Sequence, residues 1–153
     1  MNHLAEIAGS YIHALMSRIF QVLQLNVGKQ EMVQLSLLND DRLEDFSALA
    51  ISEPYSWRNN ESIVVTPIRH RNWTKITPTT QNNGRWAIRS MLWIRKDLEA
   101  TQIAVDSADI AAAVLHLPDQ LVLIASIYVP PADSIALQHI LQLLYQVISS
   151  TYH

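Results

Sequence analysis

The sequence predicts an α+β fold, a layered α/β sandwich of two mostly antiparallel sheets packed face to face with outer helices. Three observations predict it. Short apolar or alternating runs, the pattern of strands, crowd the middle of the chain. Helical spacing of apolar residues appears at 29–38 and again at 134–148. The chain has 153 residues, 49% of them apolar, which suits one compact domain with a sizeable core.

Leu4, Ile7, Ala8, Tyr11, Ile12 and Leu15 recur at helical spacing, so a short amphipathic extension is expected over 1–17. The stretch 18–27, "RIFQVLQLNV", mixes apolar residues with Gln21 and Gln24 and is read as a strand. Met32, Leu35 and Leu38 then mark a helix that frays at "NDDRLED". "ALAIS", 48–52, is short and wholly apolar until its last residue, the mark of a buried central strand. Strands are expected at "SIVVTPI" and "WTKITPT". "NNGR", 82–85, is a turn, because Asn and Gly accept positive φ. A bulged strand is expected in "WAIRSMLWIRKDL" and an edge strand in "TQIAVD". "DIAAAVLHL" and "LVLIASIYV" flank Pro118 as a hairpin, and the second arm reads as buried on both faces. Pro130 and Pro131 end it. In the last helix Leu137, Leu141, Leu144 and Ile148 form one stripe and Gln138, Gln142 and Gln146 the opposite one, with Asp133 or Ser134 as the cap.

The composition narrows the function. With no cysteine there is neither a disulfide framework nor a thiolate metal site. No apolar stretch reaches the length of a membrane span, and the first residues lack the basic front of a signal peptide. An intracellular protein with no membrane partner is expected. Charged residues are only 16%, which suggests surface covered by a partner or a further segment. The net charge of −3 hides an asymmetry. Residues 58–96 hold eight basic side chains against Glu61, a net of +7; the remainder holds three against thirteen acids, a net of −10. All four tryptophans lie between 57 and 93. Basic residues interleaved with aromatics suit phosphate contacts and base stacking. A solvated hairpin whose tryptophans pack the core has the same composition.

Three strand ends carry polar groups: Asn26, Glu53 and Tyr128. Strand ends converge at one face of a sheet, where ligands bind. A carboxylate on a rigid strand is a good ligand for a hard cation, an amide can orient a phosphate, and a phenol can donate to a phosphate oxygen. Each also has a plain role: Glu53 as a polar strand end, Asn26 in an Asx-turn, Tyr128 as a core tyrosine with a wet hydroxyl.

Four pieces in order, "LQLNVGK", "ALAISEPY", "SMLWIRKDL" and "LVLIASIYVPP", resemble the endonuclease/exonuclease/phosphatase superfamily. In particular they resemble the apurinic/apyrimidinic-type endonuclease domain of LINE-like (non-LTR) retrotransposons. The resemblance runs from about residue 20 to the C-terminus. It implies a four-layered sandwich and Mg²⁺-dependent hydrolysis of DNA phosphodiesters. Carried over, Asn26 lies beside the scissile phosphate, Glu53 is the metal ligand and Tyr128 contacts the phosphate. Arg69, Arg71, Lys75, Arg85 and Arg89 are the candidate DNA contacts, and nuclear action is implied for a functional retrotransposon endonuclease.

The departures shape the expectation as much. The family's Gly-Asp-x-Asn strand and its final Asp-His strand have no counterpart here. Gly28 stands where many relatives place an Asp that assists the metal. No residue is a candidate general base, and His116 and His139 read as structural or solvent-facing. The expectation is therefore a truncated domain over 18–153, its C-terminal part missing, inactive alone, and prone to self-association through exposed sheet surface. The rival expectations are a non-catalytic nucleic-acid-binding module and an interaction domain.

Overall fold

The computed structural model describes residues 20–60 and 62–152. The helix expected over 4–17 lies outside them. The chain runs β1 (Val22–Asn26), α1 (Glu31–Leu38), β2 (Ala48–Ser52), β3 (Ser56–Asn59) and β4 (Ser62–Val65). It continues through β5 (Trp73–Ile76), β6 (Ser90–Arg95), β7 (Glu99–Ile103), β8 (Ile110–His116), β9 (Leu121–Ile127) and α2 (Ser134–Tyr152).

One sheet has the order β1-β2-β6-β5, the other β7-β8-β9, and β3-β4 is a separate hairpin. Only β1 and β2 pair in parallel among these strands, as a crossover through α1 requires. Period-two alternation divides the core. Leu49, Ile51, Met91 and Trp93 face one way, onto Leu38 of α1 and Val65 of β4. Ala48, Ala50, Leu92 and Ile94 face the other way, onto Ala111, Ala113 and Leu115 of β8 and Ile124 of β9. Behind them Ile110 and Ala112 meet Ile140 and Val147 of α2. The predicted α+β sandwich is the architecture found, with helices on both outsides.

Several local expectations are corrected. The strand buried on both faces is β8, not β9, because β8 lies between two neighbours and β9 is an edge. The strand expected from Trp86 begins at Ser90. Ala87 turns back instead, its carbonyl accepting from Asn82 N–H at 2.8 Å. The polar "SWRN" of β3 gave no strand signal and is held by pairing with β4. The segment expected to fray after α1 contains a 3₁₀ turn, Asp41–Leu43, capped by Asp40. Asp133 does cap α2: its Oδ1 accepts from Ala136 N–H at 2.9 Å. The helix packs through Ile140, Leu143, Leu144 and Val147, so Leu137, Leu141 and Ile148 of the expected stripe remain exposed.

Candidate functional site

The parallel register sets Asn26 against Ser52, so β1 and β2 end together and Glu53 follows at the same rim. There the chain turns sharply. Asn26 Oδ1 accepts from Gly28 N–H at 2.8 Å, an Asx-turn. Gly28 has φ 57°, which glycine adopts without cost. Lys29 and Glu53 adopt the same region, at φ 59° and 50°, without being glycine. Glu53 does so directly before Pro54, where extended backbone is the norm. Backbone hydrogen bonds hold both: Lys29 N–H donates to the Glu53 carbonyl at 2.8 Å and Glu53 N–H to the Arg89 carbonyl at 2.9 Å. Strain of this kind concentrates at functional sites.

The side chains close a small network. Asn26 Nδ2 donates to Glu53 Oε2 at 2.8 Å, and Lys29 Nζ lies 3.3 Å from Glu53 Oε1. The Asn26 hydrogen bond, then the Lys29 ammonium, hold the Glu53 carboxyl below the usual glutamate range against an opposing effect of burial. The ammonium also sits 4.7 Å from the centre of the Trp86 ring, which Arg85 approaches to 5.1 Å.

Beside it lies a second cluster. Arg89 forks onto Asp109, with Nε–Oδ1 2.6 Å and Nη2–Oδ2 2.7 Å. Its guanidinium stacks 5.1 Å from the Tyr128 ring centre, and Tyr128 N–H donates to the Asp109 carbonyl at 2.8 Å. Ser126 Oγ reaches across the sheets to the Ile51 carbonyl at 3.2 Å, tying β9 to β2 just below this edge. Asn26, Glu53 and Tyr128 are thus brought to one rim: the first two touch, and the third joins through Arg89 and Asp109.

The basic candidates are not gathered in the same way. Arg85 flanks the rim through Trp86. Arg89 is committed to Asp109. Lys75 is half-buried, donates to the Val65 carbonyl at 3.2 Å, and is lowered in pKa by burial. Arg69 and Arg71 precede Trp73, which pairs with Arg95 at the opposite end of the sheet. The tryptophans also divide: Trp73 and Trp93 are core, Trp86 is half-buried, and Trp57 is exposed beside Tyr55. Lys29, Trp86 and Asp109 are rim residues that the sequence reading did not single out. Lys29 stands inside the quoted "LQLNVGK".

Among the described residues no three His, Asp or Glu side chains cluster as a metal cage. The rim offers one partly exposed carboxylate, Glu53, at 23% side-chain exposure. This donor set fits a Mg²⁺ ion that keeps most of its water and shares a phosphate oxygen, since such ions use one or two carboxylates. It does not fit a cation caged by protein alone.

No family model matches this chain, and no curated protein does. Among solved structures it is similar to the endonuclease domain of TRAS1, a telomere-specific non-LTR retrotransposon, at TM-score 0.64 and 18% identity. The match covers 84% of this chain and 53% of that one, so the chain spans about half the length of that structure. The fold expected from the sequence motifs, that of a retrotransposon endonuclease domain, is the fold found.

Proposed function

We propose that the rim is a phosphodiester-binding site for DNA, built on the plan of a Mg²⁺-dependent endonuclease. The observation that carries this reading is the direct contact of Asn26 with Glu53 at paired strand ends, with Tyr128 at the same edge. The Asn26 amide, with one N–H on Glu53, has a second to offer a phosphate oxygen. The Tyr128 phenol donates to another oxygen. Glu53 would hold the Mg²⁺, which when bound polarises the phosphoryl oxygen and stabilises the leaving one. Arg85 lies beside the rim and takes a neighbouring phosphate. Arg69 and Arg71 serve more distant ones, roughly 17 Å away for a strand of five residues. Nuclear action belongs to this reading alone.

Cleavage also needs a group that takes a proton from the attacking water. At the rim Glu53 and Asp109 are both engaged by cations. His70 contacts Asn39, and His116 contacts Thr101, away from it. Among the described residues the rim thus has groups that bind and position DNA and no free group to take that proton, so in this reading cleavage is poor. The exposed apolar residues of β1 and α2 support self-association in the same reading.

Fluorescence anisotropy with a short duplex, together with plasmid nicking in Mg²⁺, tests this. The expected result is salt-dependent binding, weakened several-fold in Asn26→Ala and Tyr128→Phe, with nicking near background. Binding that ignores salt would sink the phosphate site. Nicking lost in Glu53→Gln would show that the chain cleaves unaided.

A further inference from the structure

We propose that Lys29 sets the divalent-cation affinity of this site, its own ammonium holding the carboxylate face on which a metal ion would sit. The inference rests on the reading of Glu53 as the ligand. Three features of the rim support it. First, the ammonium is 3.3 Å from Glu53 Oε1, so a positive charge already serves that oxygen. Second, Lys29 is not a free surface lysine. Its side chain is 29% exposed, the Trp86 ring lies 4.7 Å from Nζ, and its backbone is tied to the Glu53 carbonyl at 2.8 Å. Third, the other carboxylate and amide oxygens of the rim already accept hydrogen bonds. Glu53 Oε2 accepts from Asn26, Asn26 Oδ1 accepts from Gly28, and both Asp109 oxygens accept from Arg89.

A divalent ion on the Oε1 side of Glu53 therefore competes with the ammonium for that oxygen. Two unit charges at this separation in a water-exposed site interact by enough to change affinity about tenfold. Once displaced, the ammonium remains beside the ion, where a phosphate oxygen supplies the negative charge it has lost. Metal and phosphodiester then bind together better than either does alone.

The test is Mn²⁺ titration of the full chain, read by the free-ion electron paramagnetic resonance signal. Lys29→Met and Lys29→Gln, two neutral replacements, should bind Mn²⁺ about tenfold more tightly than the wild type. Lys29→Arg keeps the charge and should stay close to the wild type. Glu53→Gln should lose the ion in every background. Equal or weaker binding by both neutral variants, with Glu53→Gln still losing the ion, overturns the role of Lys29 and leaves the site reading standing. No effect of Glu53→Gln, or no Mn²⁺ bound by any variant, overturns both.

Discussion

Glu53 has few degrees of freedom left. Its φ of 50° ahead of Pro54 is held by hydrogen bonds on both sides of its own peptide, and both carboxylate oxygens have partners. Its ionised form is the one that the Asn26 amide and the Lys29 ammonium favour, and its pKa is depressed in the fold. A carboxyl depressed on folding adds stability that is complete above its unfolded value, about 4.3, and disappears as pH falls through the folded value. The melting temperature of the wild type should therefore exceed that of Glu53→Gln at neutral pH, and the gap should close in an acid series below about pH 4. Asn26→Ala removes two partners at once, leaving Gly28 N–H and Glu53 Oε2 to water; urea unfolding should show a loss of about 0.5–2 kcal/mol. Asn26, Glu53 and Tyr128 were legible in the sequence because each closes an apolar strand and breaks its pattern. Lys29 and Asp109 were not. Their partners lie 24 and 20 residues away, and nothing local in the chain announces a pairing set by register and by the meeting of two sheets.

Strand faces carry the next level of order. Where the two sheets meet, Ala48 and Ala50 of β2 and Ala111 and Ala113 of β8 share one cluster with Leu92, Ile94, Leu115 and Ile124. The Cα atoms of β6 and β8 come within 8 Å of each other, closer than the ~10 Å usual between stacked sheets. The alanines of β8 permit that approach to Leu92 and Ile94 of β6, and it leaves little room for larger side chains on β8. Ala113→Leu should cost about 1–3 kcal/mol through overpacking, whereas Leu115→Ala should cost about 2–5 kcal/mol through the cavity it leaves; denaturant midpoints measure both. The apolar run "ALAIS" and the interrupted alternation of "WAIRSMLWIRKDL" made the strands themselves visible. Strand order was hidden, so β9 was read as buried on both faces when the alanine-rich β8 is. A run of alanines carries little hydrophobic signal, yet β8 is buried until its final histidine. The same blindness affects α2. Its leucine stripe and its packed face differ by about one position, because Ile140 and Val147, not Leu141 and Ile148, meet β8.

Among the described residues, two apolar borders are exposed. Phe20, Val22 and Leu25 are exposed on and beside β1, which is an edge strand among the described residues. On α2, Leu137, Leu141, Tyr145 and Ile148 face outward, Leu141 being 56% exposed. Flat edges and patches of this kind bind other chains. Sedimentation velocity should show association that rises with concentration, and Leu141→Glu should shift the population toward the monomer. Retention of the oligomer in that variant would exclude the helix face. No helix among the described residues is long and apolar enough to cross a membrane. Length, composition and the order of elements made the layered architecture readable, but which borders stay bare depends on strand order, which composition does not encode. The rim itself draws on positions 26, 53, 89, 109 and 128, a span of most of the chain. During synthesis the ribosome must therefore deliver β9 before Tyr128 can join Asn26, Glu53, Arg89 and Asp109 at this edge.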